Sequence, residues 1–151
     1  MAETLQSLRG ERVRQFSIFS DNKVGRLHEL VALLGTHDVH LMALSIQDTT
    51  DASVLRVIVD YPEIARDLLR EHGYAFSEVP LVVAEIETEA RVKFVTAALV
   101  EAEMNIHYCY PFIMRPHGKS ALALRVEDAD LAESIFSVHG IRTLSQADIA
   151  R

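Results

Sequence analysis

The run Asp21-Asn22-Lys23-Val24-Gly25-Arg26-Leu27 passes from turn and capping residues into the start of a helical apolar pattern. A helix start leaves backbone N–H groups unpaired and carries the positive end of the helix dipole. Those donors suit a carboxylate. Gly25 has no Cβ, so a ligand can approach the backbone closely there. Asn22 brings one acceptor and two donors, and so can serve either end of a zwitterion. The run meets the needs of an amino acid. It also has a purely structural reading, with Asn22 as the helix N-cap and Gly25 as a packing requirement.

Other reactive types are less organised. Tyr108 and Tyr110 flank Cys109 on one strand. They either line a cleft with their polar tips or pack as aromatics between domains. The seven histidines show no standard ligand spacing with a supporting carboxylate, so no metal is expected. His72 and His139 each precede a glycine at a helix end, where a cation is favoured. Cys109 has no evident histidine base, and a catalytic thiolate is not expected. No phosphate loop, dinucleotide fingerprint or hydrolytic acid–base motif is present. The reading is a non-catalytic protein without a cofactor.

These residues must be held by regular elements. Residues 14–19 alternate as a strand, and Leu27, Leu30, Val31 and Leu34 recur at helical spacing. Asp38 breaks the helix, and residues 39–47 read as a second strand. Asp48-Thr49-Thr50-Asp51 reads as a hairpin turn and residues 54–59 as a buried third strand. Pro62 suits the first position of a helix whose core side is Ile64, Leu68 and Leu69. Gly73 ends that helix, and residues 75–79 form a short fourth strand.

The order βαββαβ then repeats. Residues 81–86, 106–113, 120–126 and 141–144 read as strands. Val92, Val95 and Leu99 mark one helix, and Leu131, Ile135 and Phe136 mark another. A shift of 65 places Leu27 on Val92, Leu30 on Val95, Leu34 on Leu99 and His40 on Asn105. Past the hairpin the shift is 67, placing Asp60 on Glu127, Ala65 on Ala132 and His72-Gly73 on His139-Gly140. A sustained register of this kind marks an internal repeat. The predicted class is α+β, a ferredoxin-like βαββαβ unit used twice, with antiparallel sheets and helices on one face. The units are residues 1–80 and 81–151, joined near Pro80.

Composition narrows the partners. The 151-residue chain has a net charge of −7 and no basic stripe, which argues against nucleic acid or an anionic bilayer. No apolar run is long enough to span a membrane. The single cysteine and the absence of a secretory signal point to the cytoplasm. The third strand has no stacking aromatics of the RNA-binding kind. A lone cysteine also excludes a C-x-x-C metal carrier.

Phe16-Ser17-Ile18-Phe19 followed by Asn22-Lys23-Val24-Gly25-Arg26-Leu27 resembles the ACT domain signature, a strand leading into N-x-x-G-x-L. Residues 39–45 and 55–60 resemble that family's second and third strands. Met104-Asn105-Ile106 and Leu124-Arg125-Val126 extend the likeness into the second copy. The whole resembles small bacterial tandem ACT proteins with no attached enzyme. The resemblance implies a free amino acid held between the helix-start loop of one domain and the second strand of its partner. Carried onto this chain, that site comprises Asp21, Asn22, Lys23, Val24, Gly25 and Leu27 with Asn105 and Tyr108. The reciprocal site is degraded, since Gly25 and Asn22 correspond to Ala90 and Glu87. It further implies a homodimer or higher homo-oligomer, for which the helix-free sheet faces would supply apolar surface. The alternative is a regulatory subunit docking on an amino-acid biosynthetic enzyme. The two sheets are expected side by side, possibly as one eight-stranded sheet.

Overall fold

The computed structural model describes residues 11–21, 24–48 and 52–150. Strand β1 (Val13–Ser20) leads into helix α1 (Val24–Thr36). Strands β2 (Leu41–Asp48) and β3 (Ser53–Val59) follow, then helix α2 (Pro62–Glu71). Strand β4 (Ala75–Ile86) comes next, followed by helix α3 (Glu89–Glu101). The second half continues with β5 (Ile106–Pro111), β6 (Ser120–Val126) and α4 (Ala129–Val138). A short helix α5 (Gln146–Ile149) ends it. The hairpin residues 49–51 lie outside the described residues.

The strands form one six-stranded antiparallel sheet in the order β2-β3-β1-β4-β6-β5. Two departures from the sequence reading explain why there are six strands and not eight. Residues 75–79 and 81–86 are not separate strands but one, β4. Its first part pairs with β1, through Ala75 to Leu81, and its second with β6, through Val82 to Ile86. Pro80 stands just before this changeover, away from the β6 ladder, where a missing N–H is tolerated. The last strand is reduced to a bridge between Ala84 and Thr143. The chain turns away at Ser145, which caps α5 in a reciprocal box with Asp148.

The repeat is visible in the caps. In the first helix of each unit the residue after the C-cap is left-handed, Asp38 at φ 57° and Glu103 at φ 53°. Gly73 and Gly140 both stand at φ 71° in the second helices. Each cap closes with the same long bond. Val39 N–H donates to Leu34 O at 2.9 Å, and Met104 N–H to Leu99 O at 3.0 Å. Tyr74 N–H donates to Leu69 O at 3.0 Å, and Ile141 N–H to Phe136 O at 2.8 Å. This is the Schellman pattern, which satisfies carbonyls that a helix end leaves open.

Three cores result. Phe16, Ile18, Leu30, Leu34 and Leu69 pack under α1 and α2. Ile86, Val95, Leu99, Leu124 and Phe136 pack under α3 and α4. The third core joins Val13, Ile58, Leu81, Val83, Tyr110 and Ala123 from the helix-free faces of both units. These faces therefore cover each other within one chain. They do not supply the free apolar surface that the sequence reading assigned to self-association. Ile64 and Leu131, equivalent in the repeat and expected in the core, are 44% and 43% exposed. Each lies beside the true core stripe, which Ala65 and Ala132 carry. Among the described residues, no helix is long and apolar enough to cross a membrane.

Candidate functional site

The helix-start run lies at the C-terminal end of β1. Asn22 and Lys23 fall outside the described residues, so only part of the run can be located. Asp21 is exposed and directly follows β1, and Val24 opens α1. Gly25 is exposed, and a Cβ added there meets no atom within 4 Å. Packing among the described residues therefore does not require glycine at this position. Leu27 is half-buried and joins the core beneath α1.

Asn105 sits at the corner between α3 and β5. Its Nδ2 donates to Glu127 Oε2 at 3.1 Å, and its carbonyl accepts from Glu127 N–H at 3.1 Å. His40 makes the equivalent pair in the first unit. Its Nδ1 lies 3.0 Å from Asp60 Oδ2, and its carbonyl accepts from Asp60 N–H at 3.2 Å. The alignment of His40 with Asn105 and Asp60 with Glu127 is thus a real structural equivalence. The Asp60 side chain is wholly buried, and its desolvation raises the carboxyl above the ordinary range.

Tyr108 lies between the units. Its hydroxyl accepts from Gln15 Nε2 at 2.9 Å, and Arg56 stacks over its ring 3.9 Å from the centroid. Tyr110 is buried and donates to the other end of the same amide, at 2.6 Å. Burial pushes its phenol well above the ordinary tyrosine range, and neighbouring Tyr108 adds to this. Of the two readings of these tyrosines, the geometry matches aromatics packed between domains. Gln15, which holds Tyr108, stands near the start of β1. Asp21 follows its end, about 20 Å further along at strand spacing. Within one chain the helix-start run and Tyr108 are therefore not brought together.

The corresponding run in the second unit, Glu87 to Ala90, is tied up by charge. Lys119 Nζ lies 3.3 Å from Glu87 and 3.5 Å from the nearly buried Glu85. The hydrogen bond to Glu87, with both carboxylates nearby, raises the Lys119 ammonium above its ordinary range. Arg142 reaches Glu85 at 3.5 Å from the other side. This matches the sequence reading of a degraded second loop.

Sequence reasoning passed over one cavity. It lies between the units, has a volume of about 340 Å³, and is lined by His40, Met42, Arg115, His117 and Ile149 among others. Arg115 to Gly118 was read only as a turn. The two-residue lengthening of this second hairpin relative to the first was the signal available. Among the described residues, no cluster of three or more histidine, cysteine, aspartate or glutamate side chains could hold a metal ion.

Comparison with known proteins accounts for this architecture. No curated protein sequence matches the chain. A protein from Bacteroides thetaiotaomicron, BT0572, has a similar structure, with 25% identity and a TM-score of 0.81, covering 93% of this chain and 96% of that one. The ligand-free regulatory subunit of aspartate kinase from Thermus thermophilus has the same fold at 13% identity and a TM-score of 0.62. There the match covers 85% of this chain and 91% of the other. The regulatory subunit from Thermus flavus is similar at 12% identity and a TM-score of 0.57, over 86% and 92%. The sequence profile of the ACT domain pair matches residues 11–151. With its doubled βαββαβ unit, matched caps and shared central core, this chain belongs to the ACT domain pair family.

Proposed function

We propose that this protein is a non-catalytic regulatory module that binds a free amino acid at the start of α1. The observation that carries the reading is Gly25, exposed on the first turn of α1 with open space where a Cβ would stand. Bare helix N–H groups and an unobstructed backbone suit a ligand carboxylate. The site comprises Asp21, Asn22, Lys23, Val24, Gly25 and Leu27, completed by Asn105 and Tyr108. Because one chain holds these two groups apart, a second copy supplies Asn105 and Tyr108. Binding and self-association are then coupled. The units are residues 1–80 and 81–151, and the setting is cytoplasmic.

The test is a thermal-shift screen of the twenty amino acids, run with light scattering on the same samples. One amino acid raises the midpoint, and the particle mass exceeds that of one chain. A chain that stays monomeric and responds to no amino acid would refute the reading.

A second reading has its own observation. Phe94, Val100 and Val138 on the neighbouring helices α3 and α4 are 56%, 77% and 84% exposed. Such apolar surface suits a regulatory subunit docking on an amino-acid biosynthetic enzyme. Copurification of such an enzyme, lost when Val100 and Val138 become serine, distinguishes this reading from the first.

A further inference from the structure

The cavity between the units is a built site and not a gap between loops. The segment after β5 is fixed to β2 by two bonds, from Ile113 N–H and Met114 N–H to Met42 O at 2.9 and 3.2 Å. On the other side His117 Nε2 lies 2.9 Å from Asp148 O. His117 holds a left-handed backbone at φ 54°, which re-aims the chain here. Met42, Pro116 and Ile149 are buried and give the cavity an apolar floor. Its volume of about 340 Å³ suits a small metabolite.

The polar groups on its wall are unbalanced in sign. Arg115 is exposed, and among the described residues its guanidinium makes no ion pair or hydrogen bond. His40 and His117 add two imidazoles. Asp60 fixes the His40 ring through Nδ1. One acid lines the cavity, Asp148, and its carboxylate is already engaged. Its Oδ2 accepts from Ser145 N–H at 2.8 Å and from Ser145 Oγ at 3.0 Å, and its Oδ1 lies 3.6 Å from Arg142. Two carbonyls in reach, Met42 O and Asp148 O, are bonded as described above. The wall thus offers donors for a carboxylate and no spare acceptor for an ammonium group.

We propose that this cavity binds a short apolar carboxylate without an ammonium group, of the α-keto acid class. The carboxylate pairs with Arg115, an imidazole donates to the keto oxygen, and the tail lies on Met42, Met114 and Ile149. The proposal does not depend on the helix-start site. It predicts that the amino acid and its keto acid are recognised at different places on the chain.

The experiment uses the full chain with methyl-labelled methionine, titrated with α-ketoisocaproate, L-leucine and isopentanol. The keto acid shifts the Met42 and Met114 methyl signals saturably. At those signals leucine, which adds the ammonium, binds at least about tenfold more weakly, as does isopentanol, which lacks the carboxylate. Arg115→Gln weakens the keto acid by about tenfold or more, the loss of a charge-assisted pair. Arg115 is exposed, so the variant keeps its fold, which circular dichroism checks. Unchanged affinity in Arg115→Gln, equal binding of leucine at these signals, or no saturable shift of Met42 and Met114 would each overturn the proposal.

Discussion

The hydroxyl of Tyr110 donates to Gln15 Oε1 at 2.6 Å, joining residues 95 positions apart across the central core. Gln15 is fully buried, and its Nε2 donates to both Ser17 Oγ and Tyr108 Oη at 2.9 Å. One amide therefore satisfies three hydroxyls from two units. Gln15→Leu leaves those hydroxyls without their partner and destabilises the chain by about 3 kcal/mol. Tyr110→Phe removes one bond and costs about 1–2 kcal/mol. The double variant loses less than the sum, because the two changes delete a shared contact. Urea unfolding of the four proteins measures this. Additive losses would show that the Gln15–Tyr110 bond does not couple the units.

The left-handed positions after α1 and α3 give a stabilising prediction. Asp38 and Glu103 adopt a backbone that costs an L-residue about 1 kcal/mol or more, less for aspartate than for glutamate. Glycine removes that strain, as Gly73 and Gly140 do in the other caps. Glu103→Gly should stabilise by about 0.5–1 kcal/mol, and Asp38→Gly by less, after the entropy that glycine adds to the unfolded chain is subtracted. Thermal melts of the two variants decide it.

Arg66 and Glu78 give a pH-dependent contribution. Arg66 reaches the carboxylate with two nitrogens, at 2.9 and 2.6 Å. The hydrogen bond from Arg66 holds Glu78 below its ordinary value of 4.5. A lowered carboxyl contributes stability that is present above its unfolded value and is lost as pH falls through the folded one. Arg66→Ala should cost about 1 kcal/mol near neutral pH. The difference from the wild type should shrink steadily below pH 4.5. A difference independent of pH would mean that Arg66 acts through packing alone.

The helix-start site predicts a pattern of ligand responses. With the responsive amino acid at ~100 times its Kd, the stabilisation should be about 2.7 kcal/mol. Gly25→Val should abolish it, since the added side chain fills the open space over the backbone. Asn105→Ala should weaken it, and Glu89→Ala should leave it nearly unchanged. Calorimetric titration reads all three. A full response in folded Gly25→Val would remove the site, and a loss confined to Glu89→Ala would move it to the second unit.

Sequence by itself determined the elements and their doubling. Helical spacing, strand alternation, Pro62 at a helix start and glycines after helix ends are local signals. They act through neighbouring backbone and survive whatever the rest of the chain does. The repeat register also placed His40 on Asn105 and Asp60 on Glu127, which the two hydrogen-bonded pairs reproduce. Only tertiary structure decided how the halves meet. Nothing local at Pro80 indicates that one strand runs through it, because a strand's continuity depends on which partners lie along its edges. The mutual burial of the helix-free faces depends on the same pairing. It places Tyr108 on Gln15, about 20 Å from the helix-start run that sequence reading had joined to it. The His40 cavity was equally hidden. Its walls come from β2, the lengthened turn at Arg115 and the end of the chain, and only folding brings segments that distant in sequence to one place.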